Sequence, residues 1–159
     1  MEYDLPSNFV TATTYGPDTR IVDHLNKVLR GELSAITAYE QVIEKFAAEP
    51  EIYRLTSIRE EHEDSVRTLR SMISHEGAFP DDDAGLWGTV VKAVVGAGKL
   101  FGNAPALTAL KQGEEHGLHL YEDLANENLN SEDLRVVRSK LIPRQEKHIA
   151  LLDQLAKMQ

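Results

Sequence analysis

The chain has 159 residues, 42% of them hydrophobic and 27% charged, with a formal net charge of −9. That length suits one domain with a sizeable core. The acidic balance argues against a nucleic-acid partner, which needs a basic face, and the absence of cysteine removes disulfides, thiolate metal sites and cysteine nucleophiles.

Residues 1–17 are polar and Thr-rich, carry Pro6 and Gly16-Pro17, and read as a loose arm. No basic segment leads into an apolar run there, so no signal peptide is expected. No apolar stretch approaches the roughly 20 residues of a membrane helix. The expectation is a cytoplasmic protein with no membrane partner.

A bundle domain is expected over 18–159. Asp18 suits the N-cap of a first helix over 18–48, with Ile21, Leu25, Val28, Leu29, Ile36, Val42, Ile43 and Phe46 at steps of three and four. Glu49-Pro50 breaks it, and Pro50 suits the first turn of a second helix over 50–76. Its stripe is Leu55, Ile58, Val66, Leu69 and Ile73, and Gly77 stops it. The turn-rich 78–83 leads to 84–102, which is apolar at Leu86, Trp87, Val90, Val91, Val94 and Val95 but holds five glycines. This segment reads as a crossover with a short helix packed on the bundle rather than as a membrane-surface helix, because Lys92 and Lys99 make a thin polar face. Asn103 suits the cap of a third helix over 103–126, with Pro105 in its first turn. Its stripe is Leu107, Leu110, Leu118, Tyr121 and Leu124. Ser131 then suits the cap of a fourth over 131–158, which Pro143 should kink or split.

One pattern occurs twice. Gly31-Glu32, Tyr39-Glu40 and His62 are followed by Gly113-Glu114, Tyr121-Glu122 and His148; the Gly and Tyr offsets are both 82 residues, and the His offset is 86. Glu32 and Glu114 each lie in an apolar stripe, seven residues before a tyrosine. His62 and His148 also lie in apolar stripes. All four side chains should point inward, whereas Glu40, Glu44, Glu60 and Glu146 fall on solvated faces. Two buried carboxylates need compensation by a metal, an arginine or a proton. Imidazole nitrogens and carboxylate oxygens suit iron, zinc or manganese. Glu32, His62, Glu114 and His148 are therefore the candidate ligands, with Arg59, Gln145, Tyr39 and Tyr121 around them. Glu115 and His119 form a weaker i, i+4 pair on the third helix.

With these residues placed, the chain resembles the ferritin-like superfamily. Gly31-Glu32 with Tyr39 is similar to the first-helix motif of rubrerythrins. Trp87-Gly88, then Gly113-Glu114 with Tyr121, then Gln145 with His148, resemble the domain of unknown function 2383 family over about residues 20–157. The resemblance implies an all-α, ferritin-like four-helix bundle with a crossover between its halves, and a homo-oligomer such as a dimer. Di-iron enzymes of the superfamily carry a Glu three residues before each histidine; here Arg59 and Gln145 stand there. A di-metal centre would then lack two carboxylates, unless Glu60 or Glu61 substituted through a locally rewound helix. The functional expectation is a central Glu/His site that binds a transition metal. The alternative is a metal-free network in which Arg59 forks onto Glu32 or Glu114 and the bundle serves as a structural or interaction module.

Overall fold

The computed structural model describes residues 16–46, 49–83 and 103–158. All regular structure among them is helical: α1 (Thr19–Lys45), α2 (Ile52–His75), α3 (Asn103–Leu124), α4 (Ser131–Val136) and α5 (Ile142–Lys157). A π-helical turn, Val137–Leu141, joins α4 to α5. Those three pieces follow one another without a break and make the fourth helix of an all-α bundle. None of the described helices is long and apolar enough to cross a membrane.

Local chemistry sets the ends. The Asp18 carboxylate accepts the free N–H groups of Arg20 and Ile21 at the start of α1. Pro50 lies just before α2 rather than in its first turn, and Glu51 is the cap residue. Gly77 ends the second helix with φ +75, a left-handed conformation that suits glycine. The cap of the fourth helix is Asn130, not Ser131. Its side-chain oxygen accepts the Asp133 N–H at 2.9 Å, which leaves Ser131 as the first helical residue. The expected break at Pro143 takes the form of the π turn. Proline lacks an N–H and its ring crowds the carbonyl four residues back; the preceding Ile142 N–H instead reaches five residues back to Val137. Residues 1–15 of the expected arm, and the crossover expected over 84–102, lie outside the described residues.

The long-range contacts fix the directions. Tyr121 meets Glu32 while Tyr39 meets Glu114, so seven residues forward on α1 correspond to seven back on α3, and the two run antiparallel. His62 with Glu32 and His148 with Glu114 fall on α1/α2 and α3/α5, the two hairpins. Helices α2 and α3 therefore run the same way, and α2 ends at the opposite end of the bundle from the start of α3.

The core is in two parts. One end is filled by Ile21, Leu25, Leu29, Leu69, Ile73, Leu124 and Leu141, among others. The other holds Val42, Phe46, Leu55, Ile58, Leu107 and Leu152. Leu120 is buried on α3, whereas Leu118 is half-buried. Each fully buried aliphatic side chain contributes about 1.5–3 kcal/mol of transfer free energy. Between the two apolar parts lies a layer of buried polar side chains.

Candidate metal centre

Four side chains from four helices meet in that layer. Glu32 and Glu114 are each 3% exposed, His62 1% and His148 0%. Helical periodicity puts them there, because each replaces an apolar residue in its stripe. The structure thus brings the four candidate ligands together.

His62 is at the middle. Its Nδ1 lies 2.7 Å from Glu32 Oε2 and its Nε2 lies 2.9 Å from Glu114 Oε1. His148 approaches the other oxygen of Glu114, with Nδ1 at 3.3 Å from Oε2, and its Nε2 lies 3.0 Å from Glu61 Oε2. The two imidazole rings are 5.0 Å apart, centre to centre. One nitrogen of each histidine faces Glu114, and the other faces a second carboxylate. Ligand atoms of His62, Glu114 and His148 all fall within 4.8 Å of one another, close enough to share one ion. Glu32 lies beyond His62, on its outer nitrogen.

The tyrosines complete the layer reciprocally. Tyr39 on α1 donates to Glu114 Oε1 on α3 at 2.6 Å, and Tyr121 on α3 donates to Glu32 Oε1 on α1 at 2.7 Å. The equal Glu-to-Tyr spacing on the two helices was the sequence signal for this. When such helices run antiparallel, one carboxylate lands level with the other helix's phenol, twice.

Charge accounts for the arrangement. Burial alone would depress the His62 imidazolium, but the carboxylates of Glu114 and Glu32 outweigh it and raise the pKa from 6.5 to about 10. Burial would raise Glu114; the two imidazoles overcome that and hold it well below the usual carboxylate range. Tyr39 and Tyr121 are pushed well above 10, first by burial and then by the carboxylates they face. Both phenols therefore stay protonated and keep donating.

The surroundings differ from expectation at two positions. Arg59 does not reach Glu32 or Glu114. Its guanidinium lies 3.7 Å from Glu63 and 3.9 Å from Glu40, on the outside of the bundle. The arginine that supports the layer is Arg144, which donates to the Glu61 carbonyl, Ser65 Oγ and Asp64 Oδ2, each at 2.9 Å. Lys147 holds the Glu61 carboxylate at 2.8 Å. Glu61 itself was expected at the centre only if the helix were rewound; it reaches His148 from a regular α2, with its side chain 26% exposed. Burial opposes its ionisation, but Lys147 and His148 prevail and lower its pKa. Gln145 is buried on the layer, and its Oε1 has no hydrogen-bond partner. Glu115 and His119 do not pair: Glu115 lies near Lys111, and His119 bonds Glu122.

Residues 20–127 match the model of a protein family described as "Domain of unknown function (DUF2383)", and the chain belongs to that family. No curated protein and no solved structure matches it.

Proposed function

We propose that this member of the DUF2383 family binds one divalent transition-metal ion at the centre of its bundle, through His62, Glu114 and His148. The observation that carries the reading is the pairing of both histidines. Each turns one ring nitrogen toward Glu114 and the other toward a carboxylate, Glu32 for His62 and Glu61 for His148. Metal-ligating histidines characteristically give their second nitrogen to a carboxylate, which fixes the tautomer and raises ligand basicity. In this reading Glu32 orients His62 rather than taking a coordination position, and Arg144 and Lys147 steady Glu61. The donor set of two imidazoles and one carboxylate suits iron, zinc or manganese. The unpartnered Gln145 oxygen fits a centre whose ion brings a water with protons to donate. A bound ion would supply Lewis acidity, and iron or manganese also a redox couple. The antiparallel pairs, the parallel α2 and α3, and one Glu and one His from each half support a ferritin-like ancestry.

A second reading has its own support. Every carboxylate oxygen of Glu32 and Glu114 already meets a tyrosine or histidine. A proton on His62 would offset one of the two carboxylate charges where a divalent ion offsets both, leaving a metal-free network that fixes helix register.

Elemental analysis of protein purified without chelator separates the two. The metal reading expects about one ion per chain, lost in Glu114→Gln and kept in Glu44→Gln, since Glu44 is exposed. It is overturned by protein that holds no ion after reconstitution with iron, zinc or manganese, or by Glu114→Gln that keeps a full equivalent. Protein that stays metal-free after that reconstitution, with His62 protonated at pH 8 by nitrogen NMR, would favour the second.

A further inference from the structure

Between α1 and α3 lies a cavity of about 230 Å3. Small residues make its walls, with Gly31, Ala35 and Ala38 on α1 and Ala109, Gly113 and Gly117 on α3. An apolar cavity of about 150 Å3 takes up benzene, so there is room here for a guest of that size or somewhat larger. From Gly31 to Ala38 the wall runs about 10 Å, seven residues at the helical rise, which suits an elongated guest. The floor is the polar layer: Glu32, Glu114, His62, both tyrosines and Gln145.

What that floor offers a guest is narrow. Tyr39 and Tyr121 direct their protons at carboxylates, and both nitrogens of His62 face carboxylates. Every oxygen of Glu32 and Glu114 already meets a tyrosine or a histidine, so a cation would find no free acceptor. An anion would lie against two carboxylates that one protonated imidazole only half offsets. Gln145 is the exception on the floor. It is 4% exposed, and its side-chain amide makes no hydrogen bond among the described residues. The Oε1 end is enclosed. The Nε2 end lies over Gly117, one of the cavity walls, where an added Cβ would come within 2.6 Å of it. A buried N–H without an acceptor is costly, and an acceptor brought in by a guest removes that cost. A carbonyl oxygen suits this better than a hydroxyl, whose own proton would find no free acceptor on the floor.

We propose that this cavity binds a small neutral carbonyl compound, its oxygen accepting from Gln145 Nε2 and its alkyl chain lying between the glycine and alanine walls of α1 and α3. The inference goes beyond the metal reading and does not rest on it, since neither the amide nor the walls belong to the proposed ligand set.

The test is an NMR titration of the nitrogen-15-labelled full chain, both chelator-treated and metal-loaded, with 2-hexanone as probe. The comparators are 2-methyl-1-hexene, in which a CH2 group replaces the carbonyl oxygen, and hexylammonium and hexanoate. Saturable binding of one 2-hexanone per chain is expected in the chelator-treated protein, with a shift of the Gln145 side-chain amide signals. The alkene should bind about two- to tenfold more weakly, the worth of one neutral hydrogen bond, and the two ions more weakly still. Gln145→Leu should erase the preference for ketone over alkene. Ala35→Leu should fill the cavity without touching the polar layer and abolish binding of both. The proposal is overturned by absence of saturable 2-hexanone binding, by a ketone preference that survives Gln145→Leu, by binding that survives Ala35→Leu, or by either ion binding as well as the ketone. Should Gln145→Leu not fold, the Gln145 amide signals of the parent decide, and their failure to move at saturation overturns the proposal. Ketone binding by protein that takes up no metal would sink the metal reading and leave this one standing. Metal-loaded protein indifferent to 2-hexanone would do the reverse.

Discussion

Glu114→Gln is the most informative single change. It keeps the shape of the side chain and removes a negative charge that meets three groups: His62 at 2.9 Å, His148 at 3.3 Å and Tyr39 at 2.6 Å. Tyr39 can still donate to the amide oxygen, so that bond survives in weaker form. His62 keeps Glu32 at 2.7 Å but loses the larger of the two influences that hold its proton. Breaking a buried charge pair from one side costs about 3–5 kcal/mol. The surviving Glu32 contact places this case at the lower end, near 3 kcal/mol. At about 2–4 °C per kcal/mol for a chain of this size, the melting temperature should fall by about 6–12 °C. The assay is thermal unfolding by circular dichroism at pH 7 on chelator-treated protein, so that loss of a bound ion does not contribute. Glu44→Gln, an exposed site, is the control and should stay within about 0.5 kcal/mol of the parent. A melting temperature for Glu114→Gln indistinguishable from that control would refute the charge argument, since no group at the centre would then depend on the carboxylate.

Three further outcomes are expected. Tyr39→Phe and Tyr121→Phe should each cost about 1.5–3 kcal/mol, as hydrogen bonds to charged groups do, and the two losses should be alike because the bonds are reciprocal; a denaturant series on both variants checks this, and a large effect at one position only would contradict it. In chelator-treated protein the His62 proton contributes stability that is fully present below about pH 6.5 and is lost as pH rises toward 10, because the folded pKa is the higher one; melting temperatures across that range should decline, and the decline should flatten in Glu114→Gln. Gly113→Ala should raise stability by about 0.5–1 kcal/mol, since a Cβ there meets nothing within 4 Å of an exposed helical site; Gly117→Ala should fall short of that gain, because its Cβ would press on Gln145, and equal gains at both glycines would show that Gln145 is not held where the structure has it.

Much of this centre was legible in the chain, because amphipathic spacing tells which side chains face inward. Glu32, His62, Glu114 and His148 each interrupt an apolar stripe, and all four are buried. What spacing cannot tell is which atom meets which across the bundle. Arg59 and Arg144 show the limit. Arg59 is one turn from His62 and suggested a partner for the buried acids, yet it pairs outward with Glu40 and Glu63. Arg144 is three residues beyond the π turn and reaches three groups on α2, a contact set by how the fourth helix lies against the second. Glu61 shows a related limit. Lying off the stripe, it was expected at the centre only through a rewound helix, but a glutamate at the edge of a helix face is long enough to touch a buried ring from a partly exposed position on regular α-helix. The fourth-helix cap slipped by one residue because Asn130 and Ser131 are both good caps, and only the Asn130 geometry accepts the Asp133 N–H.

The polar layer divides what would otherwise be one continuous core, and stability does not account for it. Replacing a buried ion network with apolar side chains of similar volume is often neutral or stabilising, whereas removing one member is strongly destabilising. Glu32, His62, Glu114 and His148 are therefore interdependent without being the cheapest way to fill the space. Register alone would call for fewer groups, since the two tyrosine–carboxylate bonds already lock α1 against α3. Neither bond needs a histidine. The imidazoles add something those bonds lack: two nitrogens aimed at one carboxylate, each backed by another carboxylate on the far side. In such a set a proton and a divalent ion compete for the same electrons, because His62 must give up its proton before Nε2 can ligate. Metal affinity should accordingly rise with pH over the interval in which the chelated protein loses stability. Uptake that is independent of pH between 6.5 and 9 would mean that the ion, if any, is held elsewhere.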